Sequence, residues 1–390
     1  MIETLKTPVA KKALLSNVLR VQRVISKKDL QLFIDFPHEL YRYDANYVPE
    51  LFIAQRDMLS WKKHPFHEHS VVQLFLAFRN DMIVGRIAAI KNNNHNAFNN
   101  AADGFFGFFD CVNDLEVSNA LLDVAEHWLK DHGLKTIIGP VNFSTNETCG
   151  LLIQGFDSAP VIMMTYNRPY YIELLENAGL REKVTLLAYK IVVASLDDKP
   201  YRMMPLLKER LEKRNITIRK VNLKKFKEEV KMLHEVYNNA WDENLGFVPM
   251  TEKEFNYLAK DLKMVLDDEF CLVAELDGKA IGFALCVPDM NQIFKTIKRG
   301  RLLPTGIFKL LFNKKKIDTV RVIALGVLEP YRKMGIEACF YGELIQRSRE
   351  RGFLYAEASW ILEHNDLMNR ALLKINADPY KRYRIYEKAL

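Results

Sequence analysis

Hydrophobic spacing along this chain changes period many times, and each change marks an element. Leu74–Ile87 and Cys271–Ala284 each read as a strand, a polar two-residue turn (Asn80-Asp81, Asp277-Gly278) and a second strand with glycine at the same place, which is a hairpin signal. Arg321–Val327 reads as a buried strand that leads through a short turn into a basic, glycine-containing loop. Ile336, Phe340, Leu344 and Ile345 then fall on one stripe at helical spacing, and Gly352 is placed to end that helix. Phe353–Ile361 alternates like a strand, and Asn365, Met368, Ala371 and Leu372 open a further helix running into Lys374–Ala377. The mixed periods predict an α/β fold of the α+β kind, with a mixed sheet.

The two hairpins align on each other without gaps. Leu174–Gly179 corresponds to Leu372–Ala377 at nearly the same separation along the chain. Agreement in two separated segments predicts two tandem copies of one module, at residues 1–194 and 195–390. A chain of 390 residues, 49% hydrophobic and 27% charged, is long enough for two such cores and has an ordinary globular composition.

The segment after Val327 carries the chemistry. A loop entering a helix start leaves backbone N–H groups unpaired and presents the positive end of the helix dipole, where phosphate is the usual guest. Arg332-x-x-Gly335 resembles the pyrophosphate loop of the GNAT superfamily of acyl-CoA-dependent acyltransferases. The order strand, phosphate loop, long helix, splayed strand, helix, final strand resembles the second half of a GNAT domain. The resemblance implies two tandem GNAT-like domains with acyl-CoA or acetyl-CoA as donor. It also implies donor contacts from Leu325, Gly326, Val327, Arg332, Lys333, Met334, Gly335, Ile336, Ala338 and Asn365. Two positions depart from the family pattern. Glu337 stands where Gly or Ala is preferred, and Leu372 replaces the Tyr that often serves as general acid.

The N-terminal copy differs at this point. Its counterpart of the loop, Asp110–Ala120, has carboxylates and no Arg or Lys, and Ser118 or Asn119 reads as a plain helix N-cap. Donor binding is therefore expected only in the C-terminal copy, with the N-terminal copy either structural or forming one wall of the acceptor pocket. Gly139–Asp157 mixes amides, glycines and aromatics without periodicity and reads as a pocket-lining loop. Asn142, Ser144, Asn146 and Glu147 are its candidate acceptor contacts. His64, His67 and His69 have neither a helical pair spacing nor an evident fourth ligand, so no metal site is expected.

In a GNAT-type reaction a neutral amine attacks a thioester carbonyl directly, so a base, oxyanion donors and an acid for the sulfur are needed. Glu363 and His364 follow the second strand of the pair and are the candidate bases. Tyr383, with Tyr380 and Tyr386 beside it, is the candidate acid in place of Leu372. Ser359–Asn365 and the ending Tyr380–Lys388 look like a bacterial branch of tandem GNAT-like proteins that includes bacterial ceramide synthases. That resemblance implies N-acylation of an amine, a lipid amine or another small molecule, by CoA or an acyl carrier protein. Two other readings stay open: an aminoacyl-tRNA-dependent transferase and a non-catalytic acyl- or lipid-binding protein.

Charge and cysteine usage narrow the setting. A net charge of +7 is mild for a nucleic-acid binder. Lys295–Lys316, however, holds no acidic residue and sets leucines and phenylalanines among cations, a composition that suits an anionic membrane surface or an anionic carrier protein and equally an exposed loop and helix packed on the domain. Five scattered cysteines fit neither a disulfide framework nor zinc. Met1–Ala13 lacks a continuous apolar core, and no apolar run is long enough to span a bilayer. The expected location is the cytoplasm, either free or peripheral at the inner membrane surface.

Overall fold

The structure, a computed structural model, describes residues 18–240 and 247–390. The stretch expected to carry no leader, Met1–Ala13, lies outside the described residues. Among the described residues thirteen strands follow one another: β1 Leu19–Arg23, β2 Val71–Arg79, β3 Met82–Lys91, β4 Asp103–Cys111, β5 Thr136–Gly139, β6 Leu151–Gln154, β7 Arg181–Val192, β8 Ile216–Lys220, β9 Cys271–Leu276, β10 Lys279–Pro288, β11 Thr319–Val327, β12 Tyr355–Leu362 and β13 Asp378–Ala389. All belong to one sheet, in the order β1-β2-β3-β4-β5-β13-β7-β12-β11-β10-β9-β8, with β6 also paired to β13.

That order is a palindrome of two like halves. Each has meandering antiparallel strands, one parallel pair (β4/β5 and β11/β12) and a long last strand. The last strands are exchanged: β7 pairs with β12 of the C-terminal half, and β13 pairs with β5 of the N-terminal half. β7 and β13 also pair with each other, from Asp378↔Lys190 to Glu387↔Arg181, and so form the seam. The exchange draws the two parallel pairs toward the middle of the molecule.

The hairpins form as their turn residues require. Asn80, Asp81, Asp277 and Gly278 all have positive φ, as a tight turn between right-twisted strands demands. A bulge precedes the shared glycine in both hairpins, beside Gly85 and before Gly282. A Cβ at Gly282 would lie 2.9 Å from the Gly326 carbonyl oxygen, so β10 reaches the site strand only with glycine there.

The Ile336–Arg351 helix buries Ile336, Phe340 and Leu344 on the sheet and ends at Gly352 in the left-handed conformation. It crosses the Lys199–Glu212 helix closely enough that a Cβ on Gly342 would lie 3.1 Å from the Pro200 carbonyl oxygen. Two details of the sequence reading change. Leu151–Gln154 is a strand rather than part of a loop, because its short apolar run pairs with β13. Helix Leu115–Asp131 is capped by Asp114, whose carboxylate accepts from Glu116 N and Val117 N; Ser118 instead is buried inside the first turn.

Candidate active site

β11 and β12 pair only from Thr319↔Tyr355 to Val322↔Ala358. Beyond Val322 the strands separate, and Ile323–Val327 keep β10 on one side only. Leu328 N donates to Ile281 O at 2.9 Å. By strand alternation the Leu325 and Val327 amides therefore face the open edge, whereas that of Gly326 faces β10. The edge leads into the loop. Lys333 and Gly335 have φ of 65° and 100°, and Gly335 is the N-cap of the Ile336–Arg351 helix with no side-chain cap. The first-turn amides at Ile336, Glu337 and Ala338 are thus left to an incoming acceptor. Arg332 braces the loop, its Nε donating to Val327 O at 3.1 Å and its guanidinium reaching Ala240 O at 3.3 Å.

The N-terminal half has the same frame, but protein groups fill its edge at Cys111 and Phe108 and its helix start. Gly85 pairs with Cys111 as Gly282 pairs with Val327, so Cys111 is the counterpart of Val327. Cys111 N donates to the Tyr171 hydroxyl at 3.0 Å. Phe108 N donates to Asn142 Oδ1 at 2.8 Å, and Val141 N donates to Phe106 O at 2.8 Å. A Cβ at Gly107 would lie 2.3 Å from Val141 O, which shows how closely that segment lies in its own cleft. At the helix start the Asp114 carboxylate occupies the place of a phosphate, and Arg79 pairs with it at 2.7 Å. The N-terminal helix start thus presents a carboxylate where the C-terminal one presents backbone amides after Gly335.

A cavity of about 350 Å³ lies between the halves at the splay. Ile323, Ala324, Ser359, Trp360 and Leu362 line it on the site strands, and Ser144, Asn146 and Glu147 line it from the N-terminal half. Phe226, Val230, Leu233 and Tyr237 border it along one face of the Phe226–Ala240 helix, opposite Phe255, Leu258, Ala259 and Leu262 of the Glu252–Lys263 helix. The walls are mostly apolar. Of the polar residues in the lining, Arg321 and Ser359 lie on the site strands at the splay.

There Arg321, 2% exposed, donates from Nε to Ser359 Oγ at 3.0 Å and from its terminal nitrogens to Ile162 O and Ser359 O. Ser359 Oγ donates to Glu357 Oε1 at 2.6 Å, and the Tyr380 hydroxyl donates to Glu357 Oε2. Burial pushes the Glu357 carboxyl above its usual range, opposed by the Arg321 charge and these hydrogen bonds. Glu357 also borders a second, open cleft with Tyr380, Asp289 and Lys190. Glu357 thus stands between the cavity, which it meets through Ser359, and the open cleft on the same face of the sheet.

Asp289 in that cleft accepts from Ile162 N at 2.8 Å and Asn291 N at 3.2 Å, and burial pushes its carboxyl up to about 7. A raised acid pKa contributes stability that is complete below the unfolded value near 4 and is lost as pH rises through about 7. The loss is roughly 4 kcal/mol at most. Asp289→Asn keeps an acceptor without the charge, so its melting temperature is expected to fall less between pH 5 and 8 than that of the native protein. Parallel melting curves across that range would remove Asp289 as the titrating group.

The residues singled out in the sequence are distributed unevenly. Ser144, Asn146 and Glu147 line the cavity, but the Asn142 amide is used by Phe108 N and the Thr148 hydroxyl. Asn146 accepts from the Tyr237 hydroxyl at 2.7 Å, which ties the loop to the cavity helix. Glu363 is exposed and ion-paired with Arg382 at 3.0 Å, His364 is exposed, and Asn365 caps the next helix through Met368 N. Tyr383 is fully buried in the N-terminal core, away from the cavity lining, with its pKa raised by burial and then by Glu357. Each histidine of the His64–His69 run has a local partner: Phe66 N for His64, Met58 O for His67, Ser70 and Glu254 for His69. No cluster of metal-ligating side chains occurs among the described residues. Arg321, Ser359 and Glu357 were missed. Their signal is a charge in the middle of each of two otherwise apolar strands.

A parallel pair that splays at a glycine-gated helix start, repeated in a second half whose openings are filled, defines a tandem GNAT acyltransferase. Comparison with known proteins agrees. Residues 230–374 match the model of the acetyltransferase (GNAT) family. The chain is 36% identical to Protein YghO of Escherichia coli K12, covering 95% of each chain. It is 34% identical to the bacterial ceramide synthase of Caulobacter vibrioides, covering 95% of this chain and 98% of that one. This chain belongs to the GNAT family of acyltransferases, in the branch that contains those two proteins. Its fold matches a tandem GNAT protein from the clavulanic acid biosynthesis pathway, with a TM-score of 0.57, 9% identity and coverage of 95% and 98%. A GCN5-related N-acetyltransferase from Sphaerobacter thermophilus matches with a TM-score of 0.52, 12% identity and coverage of 95% of both chains.

Proposed function

We propose that this protein moves an acyl group from a CoA thioester to the primary amine of a molecule with a long apolar chain. The observation that carries the reading is the apolar cavity that starts at the splay and follows the whole face of the Phe226–Ala240 helix. A transferase for small polar amines has no use for such walls, since a buried methylene is worth about 0.8 kcal/mol only to a ligand that has methylenes. The 34% identity to a protein named as a ceramide synthase supports the same substrate class.

In this reading the pyrophosphate lies on the amides after Gly335, and the thioester carbonyl lies against the Leu325 and Val327 amides. The amine nitrogen attacks the carbonyl carbon, its oxygen gains charge that those N–H groups hold, and the C–S bond then breaks. The amine proton passes to Ser359 Oγ as Ser359 hands its own proton to Glu357, and the thiolate takes up a proton from solvent. Glu357 is the base here, in place of Glu363 and His364.

The test is a turnover assay with palmitoyl-CoA and a long-chain primary amine, following thiol release and the amide by mass spectrometry. Native protein is expected to form the amide. Glu357→Gln should lower turnover by roughly two to four orders of magnitude with donor affinity retained, whereas Glu363→Gln should stay near native. The reverse ranking would return the base to Glu363, and thiol release without amide would remove the amine acceptor.

A further inference from the structure

Residues 290–317 contain no Asp or Glu and eight Lys or Arg residues, and the structure shows how they are arranged. The segment forms an irregular turn followed by the short Ile307–Asn313 helix. Its inner side is held firmly: Ile293, Ile297 and Leu310 are buried, Arg301 bonds Asp35, and Gly300 packs on the Glu50 backbone. Its outer side presents Leu303 at 78% exposure, Phe308 at 58%, Leu311 at 60% and Phe312 at 76%. Lys298, Lys314, Lys315 and Lys316 stand exposed around them. Two segments meet here, because Lys314 Nζ donates to the carbonyl of Met264, itself 65% exposed.

We infer that this outer side is a docking surface for an anionic lipid bilayer. Large apolar side chains standing out from a ring of lysines lose water only by entering an interface, and the lysines match anionic headgroups rather than the interior of another protein. Two of the segment's cations already have acidic partners, Arg299 with Glu39 and Arg301 with Asp35, and both face the protein. The outward ones have no ion-pair partner among the described residues.

Position separates this surface from a carrier-protein site. Lys263 stacks over Phe226 at the start of the Phe226–Ala240 helix, beside Met264. The other end of that helix, at Ala240, meets Arg332 of the donor loop. Fifteen residues of helix separate them, about 22 Å. A carrier protein must present its thioester arm at the donor loop, whereas the exposed apolar cluster lies at the opposite end. The cavity runs along the same helix, and Leu262 and Leu266, which flank Met264, line it. A substrate chain leaving the bilayer at this surface therefore points along the cavity toward the splay. The direction of delivery rests on the lipid-amine reading; the membrane contact does not.

The test is sedimentation of the full chain with vesicles of phosphatidylcholine alone and of phosphatidylcholine with phosphatidylglycerol. Native protein is expected to bind the anionic vesicles, to bind the neutral ones weakly, and to release with salt. Leu311→Ser combined with Phe312→Ser, and separately Lys315→Glu with Lys316→Glu, should each lower the bound-to-free ratio by roughly tenfold or more. All four residues are exposed, so an unchanged melting temperature serves as the folding control. Equal binding by native protein and both variants, or no binding by native protein, overturns the proposal. So does capture of native protein, but not of the variants, by an immobilised acyl carrier protein when vesicles capture neither. Assay of the same variants on a water-soluble amine separates the two readings, since loss of vesicle binding with unchanged turnover there leaves the acceptor question untouched.

Discussion

Gly335→Asp is expected to abolish binding of a CoA thioester, while Gly335→Ala weakens it only moderately. Both variants meet the same backbone conformation, φ of 100°, and the same neighbour, Leu207 Cδ2 at 3.2 Å from a built Cβ. A left-handed conformation costs a non-glycine residue roughly 1–2 kcal/mol, so Ala is expected to lose about tenfold in affinity. Asp adds a carboxylate within reach of the amides that the donor needs. The protein already contains the outcome. In the N-terminal half Asp114 accepts from Glu116 N and Val117 N at the equivalent helix start, and Arg79 holds it there. A carboxylate that both occupies the amides and repels the pyrophosphate should cost about 3 kcal/mol or more, beyond a hundredfold in affinity. Titration calorimetry with CoA and with palmitoyl-CoA measures both variants. Equal loss in Asp and Ala would assign the effect to backbone strain, and native-like binding in Asp would remove Gly335 from the donor site.

The asymmetry between the halves was only half legible in the sequence. Acidic residues in Asp110–Glu116 signalled a poor phosphate cradle, because charge is visible one residue at a time. The residues that fill the N-terminal edge were not legible, since Tyr171 and Asn142 reach Cys111 N and Phe108 N from far along the chain. Asn142 read as an acceptor contact for the same reason: a polar side chain in an aperiodic loop gives no sign of which backbone it will satisfy. The strand exchange of β7 and β13 was likewise hidden. β7 carries a central apolar run and β13 sets aromatic and apolar residues among charged ones, and neither pattern depends on which half the strand joins. Helix and hairpin positions were legible, because turn chemistry and period are local. The Ser359–Glu357 pair is the instructive miss. Glu357 lies on a strand that alternates correctly, and only the Arg321 charge on the neighbouring strand in the same register marks it as interior.

Chain-length dependence of the acceptor is expected to be steep, and to be shortened by a single cavity substitution. Ala259 lines the cavity from the Glu252–Lys263 helix, opposite the face that carries Phe226, Val230 and Leu233. Each methylene taken from water into these walls is worth about 0.8 kcal/mol, close to a fourfold change in apparent affinity, until the chain reaches the end of the cavity. A series of primary amines of increasing length, assayed at fixed donor, should therefore show kcat/KM rising over several orders of magnitude to a plateau. Ala259→Trp fills part of the space with an indole, so the plateau should arrive several carbons earlier, while short amines react as before because the splay is untouched. A wall that merely destabilises when altered would lower all lengths together and leave the plateau where it was. A flat series in the native protein, or the fastest turnover on small polar amines, would mean that the cavity holds no acceptor chain. The same series run with acetyl-CoA and palmitoyl-CoA distinguishes the two remaining occupants. If the length of the acyl donor, and not that of the amine, moves with Ala259→Trp, the cavity takes the acyl chain and the amine approaches from the Ser144–Glu147 side.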